Sequence, residues 1–282
     1  MTTSEFAPMS VGQILDRSFR LYRTNFVRYV SIVAVMQVPV FLVSVVLTIL
    51  LVGTLLAGGH GGGRSTAGAA IVPGMVVGLV MVVLAVIAHA LCQGALFKSV
   101  SESYLGKDVT LGEAYGFVLG KLGRIVWASI LVGVVVMLGL ALCIVPGVIF
   151  GLWFGLTIPV IIVENLEATG AMRRSKGLVL GNLGRAFGLG LVIVLIGMIM
   201  GWVCGGVGRL IGGAAAPGNV AGIFTNQIVS LVGQILVAPI GAAAYVLFYY
   251  DLRIRKEAFD LEMLAKSMGT PGPTAGSGTP TA

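Results

Sequence analysis

Residues 177–211 read GLVLGNLGRAFGLGLVIVLIGMIMGWVCGGVGRLI, and no charged side chain stands between Arg185 and Arg209. A helix needs about 20 consecutive apolar residues to cross a hydrocarbon core of about 30 Å, and this stretch supplies them. Six apolar runs of this kind are legible, at 30–57, 71–97, 125–145, 148–163, 189–211 and 220–250. Composition agrees: 57% of residues are hydrophobic, 10% are charged and mean hydropathy is +1.02, whereas soluble domains carry about 25% charged residues. Strands of a membrane β-barrel are about 9–11 residues long and alternate in polarity, while these runs are longer and apolar on every side. The expected fold is an all-α polytopic membrane protein with six transmembrane helices. Pro146 and Gly147, in the CIVPG linking the third and fourth runs, are expected to break the helix and turn the hairpin.

The quoted stretch also opens on a phrase that occurs elsewhere. GLVLGNLGRAF (177–187) matches GFVLGKLGRIV (116–126) at seven of eleven positions, and RSFRLYRTNFVR (17–28) matches RSKGLVLGNLGR (174–185) at five of twelve. Each copy precedes an odd-numbered apolar run. The expected unit is therefore an amphipathic helix followed by a two-span hairpin, used three times. An even number of spans keeps the copies parallel, unlike the inverted repeats of many transporters. In the first copy Val11, Leu15, Phe19, Tyr22, Phe26 and Tyr29 recur at helical spacing, and in the second Thr110 and Glu113 form a capping-box pattern. Arg28, Arg124 and Arg185 stand at equivalent places just before a span.

Sixteen of the eighteen Lys and Arg residues, and all eleven acids, fall on one side of the six runs; only Arg64 and Arg209 fall on the other. The positive-inside rule puts that basic side, and both termini, in the cytoplasm. The formal charge of +7 then reads as topology and attraction to anionic phospholipid, with no nucleic-acid partner implied. Candidate headgroup contacts are Arg17, Arg20, Arg28, Arg124, Arg173, Arg174 and Arg185, whose stems can lie along lipid while the guanidinium reaches phosphate. The first apolar run begins too late and is too long for a cleavable signal peptide. Residues 1–8 read as a short tail and 269–282, rich in Gly, Pro, Ser and Thr, as a disordered one. Between them, Ile254, Ala258, Leu261, Ala265 and Met268 would share a helix face.

The segments MSVGQILDRSFRLYRTNF (9–26), IPVIIVENLEATGAMRRSKGLVLGN (158–182) and YYDLRIRKEAFDLEML (249–264) resemble the membrane domain family named after glycerophosphoryl diester phosphodiesterases, and bacterial six-span proteins of the YciC type. The resemblance covers roughly residues 9–265. It implies membrane residence and a link to phospholipid metabolism. It brings no phosphodiesterase activity, because the catalytic barrel of fused members needs about 250 residues that are not present here.

No phosphate-binding loop, zinc-protease, nucleophile-elbow or paired metal-ligand pattern is found, so neither an enzyme nor a cofactor is expected. GGHGGGR (58–64) reads as a connector, and Cys92, Cys143 and Cys204 as single packing residues. The acids Glu102, Glu164, Glu167 and Asp251 lie at span ends, within reach of Arg or Lys. Gly147, Gly151, Gly155 and Gly197, Gly201, Gly205 form small-residue faces suited to close helix packing, within the bundle or in a homo-oligomer.

Polar residues inside the spans are the candidate site. His89 and Gln93 share a face of the second span, Gln37 precedes Pro39 in the first, and Gln227, Ser230 and Gln234 line one side of the sixth. Two functions follow. One is a non-enzymatic, phospholipid-associated scaffold or partner subunit, in which these amides only bond neighbouring helices. The other is a transporter or lipid flippase built around His89. Convergence of the polar groups on a cavity favours the second, and dispersal along helix contacts the first.

Overall fold

The computed structural model describes residues 9–59, 64–212 and 220–257. Both expected tails, most of GGHGGGR and the proposed face from Ala258 onward lie outside the described residues. Among those described, the elements run α1 (Val11–Thr24), α2 (Phe26–Gly59), α3 (Arg64–Tyr104), α4 (Leu111–Leu119), α5 (Leu122–Leu142), α6 (Ile144–Phe154), α7 (Thr157–Glu164), α8 (Ala168–Val179), α9 (Leu183–Gly212) and α10 (Val220–Glu257). Six segments are long and apolar enough to cross a membrane: Phe26–Leu50, Gly74–Tyr104, Leu122–Leu142, Ile144–Glu164, Leu183–Gly212 and Gly222–Lys256. The order is a short helix and then a pair of spans, three times over.

Local chemistry sets the start of each short helix. Ser10 accepts from the Gln13 amide while the Gln13 side chain accepts from the Ser10 amide, closing a capping box on α1. Thr110 and Glu113 do the same for α4, and those hydrogen bonds hold the Glu113 carboxyl below its ordinary range. The repeated phrase is the junction that follows. Its two clear copies end α4 at Leu119 and α8 at Val179, turn within three residues, and begin α5 and α9 at Leu122 and Leu183. Gly181 turns with φ +88°, a conformation glycine adopts without strain, whereas Gly120 stays in the right-handed region. In the first unit the single residue Asn25 makes the junction.

The three short helices bury equivalent positions. Ser18, Ala114 and Ser175, each ten residues before Arg28, Arg124 and Arg185, are fully buried. Small side chains there let the short helices lie close against the spans: the Ser175 hydroxyl donates to the Trp153 carbonyl at 2.6 Å. The face expected of the first copy is seen in part: Val11, Leu15 and Tyr22 pack against the core and Tyr29 is fully buried, whereas Phe19 and Phe26 remain exposed and Ile14 and Ser18 carry the deepest burial of α1.

The hairpin between the third and fourth spans also differs from expectation. The break falls at Cys143, which is extended, and Pro146 and Gly147 sit inside the first turns of α6. A proline in the first turn forfeits no intrahelical bond, so Pro146 can begin a helix there. The fourth span is itself interrupted at Gly155–Leu156, where Pro159 again occupies a first turn and the Thr157 hydroxyl donates to the Phe154 carbonyl.

Burial is concentrated at the basic end of the bundle. Tyr29, Leu96, Val100, Leu247, Tyr249 and Leu252 are completely enclosed there, and Ser101 Oγ and Tyr250 Oη lie 2.7 Å apart, fixing α3 against α10.

Candidate functional site

Two polar constructions emerge, a collar at the basic end and a cleft within the spans. The collar is made by the three arginines that follow the short helices. Arg28 pairs with Asp108 at 2.7 Å, just before the cap of α4. Arg124 pairs at 3.0 Å with Glu167, the cap residue of α8, and donates to Asn165. Arg185 donates to the Met9 carbonyl, just before the cap of α1, and meets Asp251 at 2.9 Å. Each arginine thus grips the entry to the next unit's short helix, and the third closes the ring on the first.

The three contacts differ in worth. Asp108 and Glu167 are largely exposed, where ion pairs contribute about 0–1 kcal/mol. Asp251 is completely buried and doubly clasped, by Arg185 and by Arg255 at 3.0 Å, and it accepts from the Met9 amide at 2.7 Å. A second hub lies alongside: Glu164 accepts from Arg174 Nε through both oxygens and from the Tyr249 hydroxyl at 2.8 Å, joining the second unit to the third. The span-end acids therefore do pair with nearby cations, and three of them, Glu164, Glu167 and Asp251, also tie units together.

These contacts sort the candidate headgroup arginines. Arg28, Arg124, Arg174 and Arg185 are engaged with protein carboxylates, and Arg17 lies over the Tyr104 ring at 5.0 Å. Arg20 and Arg173 are exposed with no ion pair among the described residues. Lys121 joins them as a cation the sequence reading passed over. It lies over the Phe117 ring at 4.0 Å, and burial, then the nearby Lys98 and Arg124, hold its ammonium below the usual lysine range.

The cleft gathers the candidate intramembrane residues. A cavity of about 410 Å³ is lined by Gln37 from α2, His89, Cys92 and Gln93 from α3, Gly197, Met200, Gly201 and Cys204 from α9, and Ser230, Gly233 and Gln234 from α10. An adjoining cavity of about 260 Å³ is lined by Gln37, Ser44, Asn226, Gln227, Ser230 and Gln234, with apolar neighbours. Gln37, Ser230 and Gln234 belong to both, so the two form one cleft. All six candidates (Gln37, His89, Gln93, Gln227, Ser230 and Gln234) line it.

Helix rise gives the depth. From the Ser101–Tyr250 contact, Gln93 lies about 12 Å along its helix, His89 about 18 Å, Gln234 about 24 Å and Gln227 about 35 Å. The cleft therefore runs from mid-bilayer towards the face opposite the collar, while the collar end is packed shut. His89 and Gln234 remain exposed in it. The buried Gln93 Oε1 and Gln227 Oε1 have no hydrogen-bond partner.

Glycine placement corrects the small-residue faces. A Cβ on Gly151, Gly197, Gly201 or Gly205 would meet nothing within 4 Å, so these positions make no close helix contact within the chain; Gly197 and Gly201 form a wall of the cleft. Gly147, from the first expected face, does pack closely, facing Gly139 across the α5–α6 hairpin; close approach also occurs where Gly208 meets Asn226, Gly212 meets Gly222, and Gly233 meets Cys204. Sequence spacing identified a small-residue stripe but not which way it points. Cys92 and Cys204, read as packing residues, are buried as expected and also line the cleft. Asn226 was missed, although it adjoins Gln227.

The fold and cleft define a multi-pass, all-α membrane protein with a polar intramembrane cleft. Residues 96–252 match the domain of unknown function DUF7847, and the chain belongs to that family. The match takes in both acidic hubs and the α10 wall of the cleft. No curated protein and no solved structure matches the chain.

Proposed function

We propose that this protein handles a membrane amphiphile, admitting its polar headgroup into the cleft and moving it between leaflets. The observation that carries this is the convergence of polar side chains from three separate spans on one open cleft. Amides dispersed along helix contacts would satisfy each other, whereas here His89 and Gln234 stay exposed within the cleft. Unsatisfied polar atoms in hydrocarbon are costly and are retained where a ligand or water meets them.

The collar supports the remaining parts of this reading. Its concentration of basic residues fits a cytoplasmic face of a bacterial inner membrane, with both termini on that side. In this reading Arg20, Arg173 and Lys121 meet anionic phospholipid headgroups. The recurrence of a short helix, an arginine and a hairpin fits descent from one repeated unit, and the resemblance to the phosphodiesterase-associated membrane domains fits a lipid-linked role. No group of the cleft suggests catalysis. The scaffold or partner-subunit function is the second reading, and the collar is the feature that favours it.

Purified protein in vesicles carrying a fluorescent lipid tests the proposal. Wild-type protein should expose inner-leaflet probe to an external quencher, and Gln93→Leu with His89→Ala should slow this at least tenfold. Gly201→Leu should fold with unchanged stability, because its side chain enters open space, yet slow exchange by filling the cleft. Exchange no faster than in protein-free vesicles would favour the scaffold.

A further inference from the structure

The chemistry of the cleft lining selects among headgroups, and this inference rests on the cleft being a binding site. Its polar groups are five carboxamides, Gln37, Gln93, Asn226, Gln227 and Gln234, together with serine hydroxyls and His89. Among the described residues, no Asp, Glu, Lys or Arg lines either cavity. We infer that the ligand is a neutral, hydroxyl-bearing amphiphile, such as a glycosyl diacylglycerol, and not a phospholipid.

Three features lead there. A phosphodiester brings a charge that must be paired or hydrogen-bonded once it leaves water, and the described lining holds no fixed cation to meet it. An ammonium headgroup has the converse problem, because no carboxylate stands in that lining. A carboxamide offers an acceptor and a donor together, and a phosphodiester, which has no hydrogen to give, can meet only the donor. A sugar or polyol hydroxyl both donates and accepts, so it can bond either end of a carboxamide. The volumes of about 410 and 260 Å³ suit a compact headgroup. Acyl chains would lie along the exposed apolar surfaces of α2 and α3 that flank it, including Val38, Leu42, Val82 and Val83.

The test compares monoglucosyl diacylglycerol with phosphatidylglycerol, whose headgroup also offers hydroxyls but carries the phosphate charge. Protein is held in an amine-oxide detergent, since a glycoside detergent would compete, and lipid binding is followed by native mass spectrometry. The glucolipid should bind at least tenfold more tightly, octyl glucoside should displace it, and Gln93→Leu and Gln227→Leu should each weaken it about tenfold. The comparison between lipids uses wild-type protein, so it stands even if a variant folds poorly. Equal binding of phosphatidylglycerol, lost in the same glutamine variants, would overturn the headgroup class and leave the cleft reading standing. Binding of either lipid that ignores the glutamines would overturn both.

Discussion

Asp251→Ala is expected to lower the unfolding free energy by about 3 kcal/mol, the low end of the cost of breaking a buried ion pair. The carboxylate is completely enclosed and is the shared partner of Arg185, Arg255 and the Met9 amide. Its loss leaves two guanidiniums without an anion at a packed site. Both arginines keep some access to water, with side chains 25% and 33% exposed, which is why the low end of the range applies. Arg255→Ala should cost distinctly less, because Arg185 and the amide still hold the carboxylate. The two changes should also be non-additive, as members of one network are. Denaturation in detergent gives the energies, and hydrogen exchange locates them: α1, anchored through Met9, should lose protection first. Equal losses from Asp251→Ala and Arg255→Ala would show that Asp251 is no hub.

Gly147→Leu should be comparably damaging for a steric reason. A Cβ at Gly147 would lie 2.5 Å from Leu140 Cγ and 2.7 Å from the Leu140 backbone nitrogen, and one at Gly139 would lie 2.9 Å from Gly147 Cα. Backbone cannot rotate aside, so even Gly147→Ala should force the hairpin apart at a cost of about 1–3 kcal/mol, and leucine should cost more. Gly151→Ala, one turn further along α6, is the control. That site is open, and the change should be neutral or stabilising by up to about 1 kcal/mol through helix propensity. If both positions accept alanine equally, α5 and α6 do not pack through Gly139 and Gly147.

Much of this architecture was legible in the chain, because a bilayer demands long apolar runs and the junction phrase repeats in plain letters. The six spans, the short helices and the Thr110–Glu113 capping box follow from local rules. The polar residues of the cleft were legible too, since a glutamine or histidine in hydrocarbon is conspicuous whatever its partners. Facing was not legible. Gly201 and Gly147 sit in similar small-residue patterns, yet one lines open space and the other touches backbone, a difference set by the rotation of α9 and α6 about their axes. The reach of Arg185 was equally hidden. Sequence placed it near the headgroups, but its partners at Met9 and Asp251 lie 176 and 66 positions away in the chain. The interruption of span four at Gly155 had a signal in Pro159, which an apolar-run reading passes over.

The cleft as a passage for lipid is the central claim, and one cross-linking measurement tests it most directly. In protein with Cys92, Cys143 and Cys204 replaced by alanine, cysteines introduced by Gln37→Cys and Gln234→Cys would stand on α2 and α10, at positions shared by both cavities. A short bis-thiosulfonate reagent should bridge them within one chain, and lipid exchange in vesicles should stop and then return when reductant cuts the bridge. Failure to bridge, or a bridged protein that exchanges lipid at the unbridged rate, would contradict the account.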